Sequence, residues 1–259
     1  MKTSIFFMLP AFLLLAFAND SGQRTKRSEK TILLTNVKEL ETEIDFPVEE
    51  LRLYAISDNE MKGIFKYSKD KWKPKISYRN EDQRGYLKMA SEVKGKIRNY
   101  DESDQNIWDV AFNKRVWHDL DIDFDAGKGD IDLQGCRLKR FEFSMAAGET
   151  NINLRNTSVP DLEFKAMVGE ATIDLSGEWN NDLDAEIRGG MGELTLILPS
   201  QTGIELDIHG VLGEVNVPHF RKDGTTYTNK QYGETENHLY IDLRGGIGEI
   251  NVQTRMSKK

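Results

Sequence analysis

The chain has 259 residues, with 35 Lys plus Arg against 43 Asp plus Glu and a formal net charge of −8. That length fits one large domain or two small ones. A content of 38% apolar and 9% aromatic residues excludes a disordered chain. The acidic balance excludes a general nucleic-acid binder and a protein held to anionic lipid by its overall charge.

The first 18 residues read as a secretory signal. Lys2 precedes an apolar run of 14 residues, Ile5 to Ala18, which contains Pro10 and ends in Ala16-Phe17-Ala18. A membrane-spanning helix needs about 20 apolar residues, so cleavage after Ala18 is expected, with an uncleaved anchor as the alternative. The mature chain would carry 34 basic and 43 acidic residues, a net charge of −9. No later segment is apolar enough to cross a bilayer. An extracytoplasmic location follows. Residues 19–30, with Arg24, Lys26, Arg27 and Lys30, are expected to form a polar tether.

Residues 31–90 read as an N-terminal β part. Within it Gly63–Tyr67, Lys75–Tyr78 and Gly85–Met89 form three strands of a small antiparallel meander. Residues 91–116, rich in Lys, Asp, Glu and Asn, read as a linker or long loop.

Residues 117–255 repeat. Gly129, Gly148, Gly169, Gly192, Gly213 and Gly248 are each followed by an acid, at spacings of 19, 21, 23, 21 and 35 residues. Five positions before these anchors stand Phe124, Phe143, Phe164, Ile187, Ile208 and Leu243; four after stand Leu133, Ile152, Ile173, Leu196, Val217 and Val252. The residues between are mostly polar. This is period-two alternation, the mark of strands with one buried face. Placing Glu49 at the anchor position recovers a further unit, with Ile44, Leu51 and Leu53 in its apolar columns. That unit lacks the glycine, so a different turn is expected there. A single strand–turn–strand unit cannot bury its own apolar face, whereas stacked units share a core. The fold class expected is therefore all-β, a repetitive β-solenoid or β-helix-like stack with parallel layers. An antiparallel sandwich is the alternative. A polar insert, residues 219–238, separates the last two units.

Several runs resemble the toastrack family, which includes the C-terminal domain of LiaF-type cell-wall-active antibiotic response proteins. They are Gly210-Val211-Leu212-Gly213-Glu214-Val215, Phe220-Arg221-Lys222-Asp223-Gly224, Tyr227-Thr228-Asn229 with Tyr232-Gly233, and Leu243 to Ile250. Glu43 to Phe46, Glu50 to Leu53, Phe65 to Tyr67 and Trp72 to Pro74 are similar too. The likeness extends over roughly Ile32 to Gln253. It implies a β-rich repetitive fold, no catalytic activity and a place in the bacterial envelope, as periplasmic or secreted protein. LiaF-type proteins carry several transmembrane helices before this domain, and this chain shows only a signal-like segment.

Two acidic columns run through the units: Glu43, Asp123, Glu142, Glu163, Glu186, Asp207 and Asp242, and Glu50, Asp130, Glu149, Glu170, Glu193, Glu214 and Glu249. Stacked about 4.8 Å apart, they must be offset by cations or by turn N–H groups. Lys165, Arg188 and Arg244 are placed to neutralise the first column. Calcium binding is the competing reading, but no calcium loop of a known type is present. Cys136, the single cysteine, is expected to be a buried structural thiol. His118, His209, His219 and His238 stand in no metal or nucleophile motif. No catalytic, metal or cofactor residue is assigned. The insert, with Phe220, Arg221, Lys222, Tyr227 and Tyr232, is the expected binding surface, an edge-covering hairpin being the equal alternative. The reading is a non-catalytic exported envelope protein, an interaction or regulatory module in envelope stress response whose partner is an envelope protein or glycan. A polysaccharide or lipid binder is the alternative, and a polysaccharide-acting enzyme comes behind it.

Overall fold

The computed structural model describes residues 25–91 and 104–256, so the signal segment lies outside the described residues. The strands are β1 (Lys26–Leu33), β2 (Glu39–Ile56), β3 (Glu60–Tyr67), β4 (Lys75–Glu81), β5 (Arg84–Ala90), β6 (Asn106–Asn113), β7 (Trp117–Asp132) and β8 (Arg137–Asn153). They continue with β9 (Asp161–Asp174), β10 (Leu183–Pro199), β11 (Gly203–His209), β12 (Leu212–Asn216), β13 (Arg221–Asp223), β14 (Thr226–Thr228), β15 (His238–Arg244) and β16 (Ile247–Arg255). A single 3₁₀ turn, Asp70–Trp72, is the one helical element among the described residues.

Strands β2, β7, β8, β9 and β10 are long, 14 to 18 residues each. Each divides near its middle at a residue with positive φ into a first and a second arm. The first arms line up in the order β4-β5-β2-β7-β8-β9-β10-β15-β11-β14-β13. The second arms run β1-β3-β6-β2-β7-β8-β9-β10-β16-β12. From β5 and β6 at one end to β11 and β12 at the other, every layer is parallel to the next. The parallel stack is therefore the architecture, and the antiparallel sandwich is not.

Both arms alternate buried and open side chains, and their buried faces meet in one core. At the N-terminal end that core is a row of rings. Trp108 meets Phe46 edge-on at 5.2 Å, Phe46 stacks on Phe124 at 5.6 Å, Phe124 lies 6.0 Å from Phe143, and Phe143 stacks on Phe164 at 5.7 Å. Further along, Ile187, Leu243 and Ile208 continue the same row with aliphatic side chains.

The bend is a glycine ladder. Gly127, Gly148, Gly169, Gly192, Gly248 and Gly213 pair in register and have φ between +125° and +154°. A Cβ on Gly148 would lie 2.1 Å from the Gly127 carbonyl oxygen, and one on Gly192 1.8 Å from that of Gly169. Any other residue collides with the layer beside it.

The register corrects one alignment. Gly127, not Gly129, stands in the ladder, so Ile122 rather than Phe124 pairs with Phe143, and Asp121 rather than Asp123 joins the first acidic column. The second column then holds Lys128 in place of Asp130 and is not acidic throughout. Of two glycines two positions apart, the backbone bends at the one whose missing Cβ stacks on its neighbours, whatever residue follows. Glu49 also takes the bend, at φ +95°, so its turn does not differ. Its side chain reaches the next layer out and accepts a hydrogen bond from the Asn106 N–H.

Two segments expected to be irregular are strands. Lys26 to Lys30, placed in a tether, belong to β1, which pairs with β3. Residues 106–113, placed in a linker, form β6, whose Asn106, Trp108, Val110 and Phe112 are buried. Asn106 hides the alternation there: it is buried because its amide donates to the Val48 carbonyl at 2.8 Å and its Oδ1 accepts from the Trp108 indole at 3.1 Å. The three strands foreseen between residues 61 and 89 all form. β4 and β5 make a hairpin on the first arm, while β3 joins the second arm between β1 and β6.

Stacking order also departs from chain order. β15 and β16, the last unit, lie between β10 and the layer of β11 and β12. At the other end β5 and β6 lie outside β2, although they follow it in the chain. The terminal repeats thus sit one layer in from each end.

Candidate recognition site

The insert begins as the chain leaves β12. β14 pairs antiparallel with β11, and β13 pairs with β14, so the hairpin closes the outer edge of the first arm. Hydrogen bonds to β11 and the turn before it fasten it. Ile208 N–H donates to the Thr225 carbonyl at 3.0 Å, Ile204 N–H to Asn229 Oδ1 at 3.0 Å, and Asn229 Nδ2 to the Thr202 carbonyl at 2.7 Å. The Thr225 hydroxyl also holds the Asp207 carboxyl below its ordinary range, with His209 assisting.

The five residues expected to bind a partner separate here. Tyr227 is 8% exposed, pairs with Leu206 and belongs to the core, so it anchors the hairpin and offers no ring to a partner. Lys222 lies over that ring, its Nζ 5.0 Å from the centroid. Phe220, Arg221 and Tyr232 come together on an open cleft of about 740 Å³, with Glu205, Asn229 and Lys230 on its walls. Tyr232 is 36% exposed and stands edge-on to His238 at 5.4 Å. Its hydroxyl donates to Glu205, which pushes the phenol up to about 12. His238 in turn stacks on Tyr240 at 5.9 Å, and its Nε2 accepts the Gly233 N–H at 3.2 Å. One face of the hairpin therefore covers the β11 edge, and the other turns Phe220, Arg221 and Tyr232 toward an open cleft.

His238 is the last residue of the expected insert, whereas Glu205 and Tyr240 lie outside it and were not foreseen as part of this surface. They lie on the repeat strands, in positions that alternation marks only as facing outwards.

The remaining chemistry-bearing groups are accounted for locally. In the first acidic column Arg188 pairs with Glu186, Arg140 with Glu142 at 2.7 Å, Arg244 with Asp242 at 2.9 Å, and Lys165 with Glu163. These pairs are half-exposed and contribute little each. Burial pushes the Cys136 thiol up to about 12, so it is held as an unreactive thiol. Among the described residues no three His, Cys, Asp or Glu side chains converge as a metal site. Nor is any helix there long and apolar enough to cross a membrane.

Residues 20–160 and 141–197 match the family model described as the N-terminal domain of toast_rack, DUF2154. A crystal structure from Clostridium sporogenes ATCC 15579, provisionally named a cell adhesion protein, is 25% identical. It superposes with a TM-score of 0.70 over 90% of this chain and 100% of that one. Proteins provisionally named adhesins, from Bacteroides fragilis NCTC 9343 and Parabacteroides distasonis ATCC 8503, are 9% and 11% identical. Their TM-scores are 0.27 and 0.26, over 87% of this chain and 97% of theirs. A search of curated proteins finds no match to this chain.

Proposed function

The chain belongs to the toast_rack family, and from that premise we infer that it is a non-enzymatic interaction module, exported to the cell envelope, whose recognition surface is the insert cleft. The carrying observation is a parallel stack whose β11 edge carries the β13–β14 hairpin, pinned by Tyr227, with Phe220, Arg221 and Tyr232 lining an open cleft beside it. Loops on rigid scaffolds commonly carry binding, and rings beside an arginine are frequent anchors. The 14-residue apolar run ending in Ala16-Phe17-Ala18 supports export. The likeness to a provisionally named cell adhesion protein supports a surface partner. A part in envelope stress signalling belongs to the same reading, through the resemblance to LiaF-type domains.

The partner is an envelope protein or glycan. The row of Tyr232, His238 and Tyr240 beside Glu205 favours a glycan, because rings stack on sugar faces while a carboxylate accepts their hydroxyls. The test is capture from envelope extract and on a glycan array by the mature chain, beside the double variant Arg221→Ala/Tyr232→Ala. Loss of the captured partner at unchanged thermal stability supports the cleft. Equal capture by both proteins removes it.

A further inference from the structure

The edges of the rack are finished unequally. β5 is covered by β4, β6 by β3 and β1, and β11 by β14 and β13. The covering strands that then lie outermost carry cations: Lys26, Arg27 and Lys30 on β1, Lys75 and Arg79 on β4, Arg221 and Lys222 on the short β13. Lysine, arginine and short length are the ordinary means of keeping an edge from pairing. Among the described residues β12 pairs with β16 alone. Its sequence, Leu212-Gly213-Glu214-Val215-Asn216, has no cation and no proline.

Three features define what fits that edge. Leu212 N–H donates inward to the Gly246 carbonyl at 2.8 Å, so the alternate residue Val215 turns its N–H and carbonyl outward. Val168, Met191, Ile247 and Leu212 pair in register just before the bend and form an open apolar row; Leu212 is 71%, Ile247 56% and Met191 55% exposed. Just after the bend Glu170, Glu193, Glu249 and Glu214 pair in register as an acidic row that ends on the same edge. Asn251 donates to Glu193 at 3.2 Å and to Glu249 at 2.9 Å. The cation in this row is Lys128, which stands between Glu50 and Glu149 and lies 3.4 Å from Glu149.

We propose that β12 is a docking edge for an extended strand of a partner protein, which adds in parallel as the next layer of the second arm and reads apolar–Gly–Lys or Arg–apolar. The apolar residue extends the row ending at Leu212. The cation closes the glutamate row at Glu214. The glycine is demanded by the ladder, since a Cβ opposite Gly213 would meet its carbonyl just as one on Gly213 would lie 1.8 Å from that of Gly248. A second copy of this chain is disfavoured, because pairing β12 with itself sets Glu214 against glutamate. The surface is distinct from the insert cleft, and its partner is set by main-chain pairing and charge.

The test uses the mature chain and a capped nine-residue peptide centred on Ile-Gly-Lys-Val, with a counterpart in which glutamate replaces the lysine. Calorimetry should show saturable binding of the lysine peptide and at least tenfold weaker binding of the glutamate peptide. Glu214→Lys should invert that preference, and Val215→Pro should abolish binding at retained thermal stability. Tyr232→Ala should leave it unchanged, which separates this edge from the cleft. Should Val215→Pro fail to fold, the charge inversion decides. Absence of saturable binding at millimolar peptide, equal affinity for both peptides, or dimerisation of the chain through β12 overturns the proposal.

Discussion

Both ends of the rack use one topology, with the terminal repeat one layer in and its neighbour outermost, yet they are built from different materials. At the N-terminal end Trp108, Phe46 and Phe124 fill the space between the arms, and the outer layer is sealed on both arms by β4 and by β3 with β1. At the C-terminal end the core is mainly leucine and isoleucine, the bend carries Gly245 and Gly246 beside Gly248, and the seal covers one arm. The glycine ladder has the same polarity throughout. Each missing Cβ faces the layer on its N-terminal side, so Glu49, at that end, can keep a side chain and use it to bond Asn106. Gly213, at the other end, must still be glycine and leaves its outer face open. A stack of identical bends is thus asymmetric, and its two ends acquire different capacities.

The largest effect that probes this contrast comes from the middle of the stack. Phe143→Asp should abolish the cooperative unfolding transition, since an unpaired buried charge costs several kcal/mol, comparable to a domain's whole stability of about 5–15 kcal/mol. Ile187→Asp should do the same at the aliphatic side of the row. Ser144→Asp, on the outward face, should remain folded by circular dichroism. If only the aromatic layers were sensitive, the two ends would not share one cooperative core.

Next is the ladder itself. Gly192→Ala places a Cβ 1.8 Å from a carbonyl oxygen at φ +138°, and a loss of about 4 kcal/mol, roughly 10 °C in Tm, is expected. Glu49→Ala should cost no more than about 1 kcal/mol, the worth of its bond to Asn106. Similar losses in both variants would remove the polarity of the ladder.

A smaller effect concerns pH and belongs to the N-terminal end. His118 is the second residue of β7, where its Nε2–H donates to the Asn113 carbonyl at 2.6 Å and its ring stands edge-on to Phe112. Burial pushes its pKa down to about 4. The folded state therefore binds the proton less tightly than the unfolded chain. Stability is complete above pH of about 6.5 and is lost as pH falls toward 4, by roughly 3 kcal/mol in all. His118→Gln should flatten that acid limb in denaturant melts; an unchanged limb would assign acid sensitivity elsewhere.

The smallest contrast separates the two tyrosines of the C-terminal seal. Tyr227→Ala should lower stability by about 2 kcal/mol, through loss of the ring that pins the hairpin. Tyr232→Ala should change Tm by under about 2 °C and act on partner capture alone. The reverse pattern would make Tyr232 the structural residue and empty the proposed cleft.

Period-two alternation marked the strands, and the Gly-acid step marked the layers, because each strand must bury every second residue whatever it packs against. The same local rule placed the insert and the cations Lys165, Arg188 and Arg244 beside their acids. It failed where burial is polar. Asn106 and Asn113 are core residues of β6 only because Val48, Trp108 and the joint to β7 supply their partners. It failed also where two candidates lay side by side, at Gly127 and Gly129, because steric demand at the bend comes from the adjacent layer.

What the sequence by itself determined is the all-β class, the approximate repeat length and which side chains of each strand alternate inward, since these follow from one strand's own alternation. Tertiary structure alone decided which layer lies next to which, that Tyr227 faces the core while Tyr232 faces solvent, and that β12 pairs with β16 alone among the described residues. Those outcomes depend on contacts between residues far apart in the chain, and no local pattern encodes which neighbour a layer will meet.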